Sequence, residues 1–174
     1  MQDLQPMQRS SSKSTIPSSL VNSAVVGQMS VHGSRYLMTF RDEATGWSDS
    51  HGVQSKAPPD CVVALREDAR SSGGYSKLYA SDRGGEWMAE FDEELAKRTV
   101  DVVKGLPHRP TTDSRHERLH ATMNPGIRVA LSESGLPYGF YEDAARHFLF
   151  NFNRLHKSKV DKRTAFERRF GRPY

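Results

Sequence analysis

Two carboxylates in this chain, Asp82 and Glu117, have a spacing that suits metal chemistry, since they lie 35 residues apart. Asp82 follows the strand-like run YSKLYAS, and Glu117 lies near the start of a helical pattern. Carboxylates at a strand end and on a helix packed against it can converge on one hard divalent cation, because Mg²⁺ prefers oxygen ligands. Two-metal phosphoryl transfer uses such carboxylates to clamp the attacking and leaving oxygens. We therefore predict a metal site at Asp82 and Glu117.

The same stretch contains an H-E-x-x-H string, which in zinc proteases supplies two histidine ligands and a general base. Its histidines are His116 and His120. Three features count against a protease: Arg118 stands where an apolar residue is usual, no glycine or third histidine follows at the required spacing, and Pro125 shortens the helix. A zinc metalloprotease is therefore a remote alternative, and adventitious Zn²⁺ binding by the histidine pair is a second one.

The elements that must position these residues follow from hydrophobic periodicity and turn signals. We expect no folded structure in the Ser-rich residues 1–20 and a compact core over residues 21–153, with a basic segment, 154–174, that continues the core. The expected elements are strands in SLVNSAVVG and SRYLMTF, a weaker strand at 46–53, a helix at 57–74, a strand at 75–81, a helix at 85–98, a strand at 100–106, and helices over 113–151 divided at Asn124-Pro125-Gly126 and Gly135-Leu136-Pro137. This order predicts a mixed sheet with helices packed on it.

Composition narrows the class of protein. The 174 residues suffice for one domain, and no apolar stretch is long enough to span a bilayer. The single Cys61 rules out a disulfide-stapled scaffold and a cysteine-based zinc site, which favours an intracellular location. Residues 154–174 hold eight Lys or Arg against two acids, so contact with a polyanion is expected at that end. On charge alone, a solvated basic tail is an equal alternative.

Five motifs, in order and with matching gaps, resemble the catalytic core of retroviral and copia-type retrotransposon integrases. GSRYLMTFRDEATGW resembles that family's second strand and turn, SDRGGEW its S-D-N-G-G-E-F, and PHRPTTDSRHER its P-Y-T-P-Q-Q-N-G-V-A-E-R. GLPYGFYEDAARHFLFNFNR and KRTAFERRFGRP resemble its last two motifs. The likeness covers about residues 20–174.

This resemblance implies an RNase H-like α/β fold with a mixed five-stranded sheet flanked by helices. It implies DNA integration by strand transfer, with Asp82 and Glu117 as catalytic residues and as ligands of Mg²⁺ or Mn²⁺. Arg115, Arg118 and His120 become candidate contacts to nucleic acid. DNA is the implied partner, a homodimer or larger protein assembly is a further option, and the nucleus is the implied location. The Ser-rich start leaves an organelle as the alternative location.

The chain departs from the family at the first catalytic position. The family's first strand carries an Asp in a segment like H-S-D-V-C-G-P-M, and the aligned segment here is N-S-A-V-V-G-Q-M, with Ala24 in place of that Asp. Neither Asp42 nor Asp49 is expected to reach the site without a register change. We therefore expect weak metal binding and a catalytically defective domain, a pseudoenzyme. The alternative is a fold reused as a structural or interaction subunit of a larger assembly.

Overall fold

The computed structural model describes the backbone of residues 14–17, 29–81, 88–104 and 110–174. Side chains are described for residues 29–79, 90–102 and 117–174. The elements are β1 (Ser14–Pro17), β2 (Tyr36–Asp42), β3 (Ser48–Val53), α1 (Pro58–Ser72), β4 (Leu78–Ser81), α2 (Met88–Ala96), β5 (Asp101–Lys104), α3 (Pro110–Ser134), a 3-10 turn (Tyr138–Phe140), α4 (Tyr141–Leu155) and α5 (Ala165–Phe170). In these ranges no helix combines the length and apolar character needed to cross a membrane.

The sheet contains both antiparallel and parallel strand pairs. β2 and β3 form an antiparallel pair in which Arg41 faces Ser48, and β4 and β5 form a parallel pair. The four-residue β1 joins these two units, because it lies antiparallel to β2 and parallel to β4, and the strand order is β3-β2-β1-β4-β5. Parallel neighbours require crossover connections, which α1 and α2 supply. The predicted α/β class with mixed strand directions is confirmed.

The first strand differs from the prediction. β1 (Ser14–Pro17) lies within residues 1–20, where we expected no folded structure, whereas the strand predicted in SLVNSAVVG lies outside the described residues. Thr15 and Ile16 are β-branched, and β1 has a paired strand on both sides. Composition describes a segment in isolation and therefore misses stabilisation by two neighbouring strands. Residues 18–28, which include Ala24, lie outside the described part of the chain.

Two apolar clusters occupy the two faces of the sheet, because successive strand residues point to opposite faces. On β2, Leu37 belongs to one cluster, whereas Met38 and Phe40 belong to the other. The first cluster brings β2, β3 and β4 against α1 and α2: Met38, Phe40, Val53, Cys61, Ala64, Leu65, Tyr79, Phe91 and Leu95. The second brings β2 against α3 and α4: Leu37, Leu119, Met123, Ile127, Leu131, Tyr141, Ala144, Ala145 and Leu149. The sheet is therefore covered by helices on both faces.

Helix α3 runs without interruption through Pro125, so the predicted division at residues 124–126 is wrong. Proline removes one backbone donor and commonly costs a helix about 3 kcal/mol. Tertiary packing offsets that cost, because α3 buries a stripe of residues at four-residue steps against α4: Leu119, Met123, Ile127 and Leu131. Gly126 lies against the ring of Phe148, which allows the two helices to approach closely.

Candidate nucleic-acid interface

The residues predicted from sequence fall into two groups. Ala24 and Asp82 lie outside the described residues, although the backbone is described up to Ser81, which immediately precedes Asp82. Arg115, Glu117, Arg118 and His120 all lie on α3, whose side chains are described from residue 117 onward. Glu117 and Arg118 are exposed on the first half of this helix. Whether Asp82 and Glu117 converge on one metal ion stays a prediction.

The central strand can supply no carboxylate to such a metal site. No Asp or Glu occurs between Asp3 and Asp42, a stretch that contains all of β1 and the whole of residues 18–28. This holds whichever residue of that stretch would lie nearest to Asp82. Ala24 is thus part of a longer segment without acidic residues.

Asp42 faces Thr15 across the β1–β2 pair, but its carboxylate is already engaged. It is buried, it accepts a hydrogen bond from the backbone N–H of Ala44 at 3.1 Å, and it accepts one from the hydroxyl of Thr45 at 2.7 Å. These bonds hold the turn between β2 and β3. Asp49 lies on β3, and its carboxylate accepts a bond from the hydroxyl of Ser71 on α1. Both carboxylates are therefore engaged within the fold, and their failure to reach a metal site at Asp82 stays a prediction, because Asp82 lies outside the described residues.

A basic groove of about 770 Å³ opens beside the exposed part of α3. Its walls come from the β2–β3 turn, the first half of α3 and the C-terminal segment. The basic side chains that line it are Arg41, Arg118, His156, Lys159, Arg163 and Arg168, and Glu43 is the acidic residue among the lining residues. A concave surface lined by one sign of charge concentrates ligands of the opposite sign. The groove therefore suits a polyanion.

The cations of this basic groove are not equally available. Arg168 makes two bonds to the carboxylate of Asp161, at 2.6 and 2.9 Å, and this pairing holds the pKa of Asp161 well below its usual range. Arg168 is therefore largely neutralised by its partner. Lys159 and Arg163 are exposed side chains of the segment between α4 and α5. They are the strongest candidates for phosphate contact, because replacing water by phosphate around an exposed cation requires little free energy of desolvation.

His120 differs from Arg118, because it is largely buried, and the Arg115 side chain lies outside the described residues. Both ring nitrogens are inaccessible and have no hydrogen-bond partner among the described residues. Burial lowers the pKa of His120 to about 4, so the ring is neutral at pH 7. A neutral ring adds no charge to a phosphate site. Zinc binding by the H-E-x-x-H string would also need His116, whose side chain lies outside the described residues.

Sequence reasoning located part of the basic groove. The charge of residues 154–174 pointed to the segment that carries Lys159 and Arg163, and Arg118 came from the family motif. Arg41 was missed, since nothing in its local sequence separates it from an ordinary surface arginine. Only the fold brings it beside a segment more than 100 residues away in the chain.

The sequence of this chain is similar to parts of retroviral polyproteins. The chain is 24% identical over 105 residues to the Gag-Pol polyprotein of Koala retrovirus, 23% identical over 105 residues to that of Woolly monkey sarcoma virus, and 24% identical over 106 residues to the Pol polyprotein of Feline endogenous virus ECE1. Each match covers 60% of this chain, but only 6% to 10% of the relative. No family model matches the chain.

Solved structures of retroviral proteins also match this chain at the level of the fold. A chain of the simian T-cell lymphotropic virus intasome, solved with a regulatory subunit of PP2A, matches 91% of this chain and 54% of its own length with a TM-score of 0.73 and 14% identity. The HTLV-2 integrase catalytic core domain in complex with magnesium, in its trimeric form, matches 90% of this chain and 95% of its own length with a TM-score of 0.68 and 13% identity. The resemblance to retroviral integrase catalytic cores of the RNase H-like type is therefore confirmed.

Proposed function

We propose that this chain is an integrase-like domain that binds DNA through the basic groove and has lost the two-metal centre for strand transfer. It would carry the five-stranded RNase H-like sheet of that family. The observation that supports the loss is the absence of acidic residues between Asp3 and Asp42, which leaves β1 without a carboxylate. The observation that supports DNA binding is the groove, which joins Arg118 of α3 to the basic C-terminal segment.

The available donors do not fit a pair of metal ions. Two-metal catalysis needs carboxylates that hold both ions about 3.5–4 Å apart. With no donor on the central strand, Asp82 and Glu117 would leave a single Mg²⁺ or Mn²⁺ with mostly water ligands. We infer weak binding of one ion by these two residues, and we assign no catalytic step to it.

Binding of DNA is tested by fluorescence anisotropy with a labelled duplex at 50 to 200 mM salt. Affinity should fall steeply with salt, because each neutralised phosphate releases counterions. The double variant Lys159→Ala/Arg163→Ala should weaken binding by about tenfold and reduce the salt slope by about 1–2, as expected for two lost phosphate contacts. The matched control is Lys77→Ala/Lys97→Ala, which removes two exposed lysines from outside the groove. Equal effects of the two pairs would contradict the proposed interface.

Loss of catalysis is tested by nicking and strand-transfer assays in Mg²⁺ and in Mn²⁺. The native chain should be inactive or nearly so. Two variants place a carboxylate on the first strand: Ala24→Asp follows the family motif, and Thr15→Asp follows the observed position of β1. Activity gained in either one, and removed again by Asp82→Ala, would support the proposal. Robust activity of the native chain that disappears in Asp82→Ala would refute it.

Self-association and location complete the proposal. The HTLV-2 integrase core has been solved in dimeric and trimeric forms, so we propose that this chain forms homo-oligomers, which light scattering after gel filtration would measure. DNA binding predicts accumulation in the nucleus, which a tagged chain would reveal by microscopy. If association with other proteins were independent of salt while DNA binding was absent, a structural or interaction subunit would be the better description.

A further inference from the structure

A second group of metal-ligating side chains lies between β3 and α1, and it contains neither Asp82 nor Glu117. Asp49 and His51 are two residues apart on β3, so both side chains point to the same face of the sheet. Asp68 lies on α1, which packs against that face. Each of the three residues offers one ligand atom, and these atoms all lie within 4.8 Å of one another.

The imidazole of His51 is the unusual member of this Asp49–His51–Asp68 cluster. His51 is only 9% exposed, and its Nε2 atom is inaccessible and has no hydrogen-bond partner among the described residues. Oδ2 of Asp49 lies 4.0 Å from Nε2, which is too far for a hydrogen bond. A buried polar atom left without a partner is destabilising, because it has given up its hydrogen bonds to water. A ligand bound at Nε2 would remove that destabilisation.

The other ring nitrogen is placed to select the tautomer that can bind a metal. Nδ1 of His51 lies 3.5 Å from Oε2 of Glu67, one residue before Asp68 on α1. A carboxylate beside one nitrogen of a metal-binding histidine favours the proton on that nitrogen and leaves a lone pair on the other. Burial also lowers the pKa of His51, since an imidazole removed from water is less easily charged.

The charge of this region favours a cation as well. Asp49, Asp68 and Glu67 are three carboxylates beside the imidazole of His51, and Asp68 is only 4% exposed. Arg146 on α4 is the basic group whose charge acts on His51. Bringing carboxylates together in a partly buried position is unfavourable unless positive charge accompanies them. A divalent ion would supply that charge between the two elements.

We infer that Asp49, His51 and Asp68 form a binding site for a divalent transition metal, with Zn²⁺ as the best fit. Histidine nitrogen and carboxylate oxygen are both donors that zinc accepts, water can complete a tetrahedron, and an imidazole ligand disfavours Mg²⁺. Zn–ligand distances near 2.0–2.2 Å place the ligand atoms roughly 3.3 Å apart, so the side chains must close by about 1.5 Å. The bound ion would tie edge strand β3 to α1.

The test is a titration of the whole, metal-free chain with Zn²⁺, in which calorimetry measures binding and thermal unfolding measures stability. Co²⁺ replaces Zn²⁺ in a parallel titration, because its visible spectrum reports the coordination geometry. One Zn²⁺ should bind tightly and raise the unfolding temperature, any further ion at Asp82 and Glu117 should bind more weakly, and Co²⁺ should give the strong visible bands of tetrahedral coordination. Asp49→Asn and His51→Ala should each weaken Zn²⁺ binding by at least tenfold. Glu67→Gln should weaken it by about tenfold, because it removes the group that orients the imidazole.

Two control variants separate this site from the others. His116→Ala/His120→Ala removes the H-E-x-x-H pair, and Asp82→Asn/Glu117→Gln removes the predicted strand-transfer ligands, so both should leave Zn²⁺ affinity unchanged. Asp49→Asn has nearly the same size as the native residue and remains informative if His51→Ala does not fold. Zn²⁺ binding that is insensitive to Asp49→Asn, or that is lost in either control, would overturn the inference. So would the absence of binding at millimolar Zn²⁺.

Discussion

Asn153 on α4 bonds to both backbone groups of Ser48 on β3. Its side-chain oxygen accepts from the N–H of Ser48 at 3.0 Å, and its side-chain nitrogen donates to the C=O of Ser48 at 2.7 Å. Ser48 lies at the start of β3, the edge strand, so its outward backbone groups have no neighbouring strand. The amide of Asn153, only 2% exposed, takes the place of that strand.

Replacement of Asn153 by Ala should therefore lower the free energy of unfolding by about 2–4 kcal/mol, because two buried backbone groups lose their partner. Urea denaturation measures this change. Asn151→Ala is the matched control on the same helix, since the Asn151 side chain is bonded only locally to His147, and it should cost less than about 0.5 kcal/mol. Equal destabilisation by the two variants would show that the bonds to Ser48 contribute nothing specific.

A second prediction concerns Glu94, a buried carboxylate of α2 that binds Arg66 of α1 through both oxygens, at 3.1 and 2.9 Å. The bond from Arg66, with support from Tyr75 and Arg98, lowers the pKa of Glu94 to about 2. Because this pKa lies below the ordinary 4.5, the stabilisation is present above pH 4.5 and disappears as the pH falls towards 2.

Glu94→Gln should therefore lower the free energy of unfolding by roughly 1–3 kcal/mol at pH 7, and the difference from the native chain should shrink towards pH 2. Denaturation curves at several pH values give this difference. Glu93→Gln, one residue earlier and exposed, serves as the control and should show almost no effect. A constant difference across the pH range would indicate that lost packing, not lost charge, causes the destabilisation.

A third prediction concerns the buried histidine of α3. The pKa of His120 is about 4 in the folded chain against an ordinary value of 6.5, because burial disfavours the charged ring. Between these values the unfolded chain binds the extra proton, so the unfolding free energy falls as the pH is lowered from 6.5 to 4. At 1.36 kcal/mol per pKa unit, this loss is at most about 3 kcal/mol.

His120→Leu should remove that part of the pH dependence, whereas His147→Leu, at an exposed position on α4, should retain it. Thermal unfolding between pH 4 and 7 is the measurement. Parallel curves for the native chain and His120→Leu would show that His120 has the same pKa in the folded and the unfolded chain.

The close approach of α3 and α4 leads to a fourth prediction. A Cβ at Gly126 would overlap with the Phe148 ring, which stacks on Phe152 with the ring centres 5.7 Å apart. Gly126→Ala gains about 1 kcal/mol in helix propensity but overpacks this contact, which typically costs about 1–3 kcal/mol. We expect net destabilisation by about 1 kcal/mol.

A double-mutant cycle isolates this contact. When Phe148 is replaced by Ala, the overlap disappears, so the further change Gly126→Ala should become stabilising by up to about 1 kcal/mol. Urea denaturation of the four chains gives the coupling energy. If Gly126→Ala had the same effect in both backgrounds, contact with Phe148 would not be the reason for glycine at this position.

Local pattern was sufficient for much of the architecture. The strands at β2 and β3, the crossover helix α1 and the β4–α2–β5 succession follow from periodicity and turn residues, which act over a few neighbouring positions. The motif containing Glu117 and Arg118 likewise required only the linear order of residues. The absence of a carboxylate between Asp3 and Asp42 could also be seen from the linear order of residues alone. It does not depend on the register of the first strand.

Three features depended on the tertiary structure, because their energies come from residues far apart in the chain. The strand at Ser14–Pro17 owes its stability to two partner strands, although its own composition favours disorder. The passage of α3 through Pro125 depends on packing against α4. The assembly of Arg41, Arg118 and Lys159 into one groove, and of Asp49, His51 and Asp68 into one cluster, requires the folded sheet and helices. The sequence alone determined which chemical groups are available; long-range packing and strand pairing decided which of them meet.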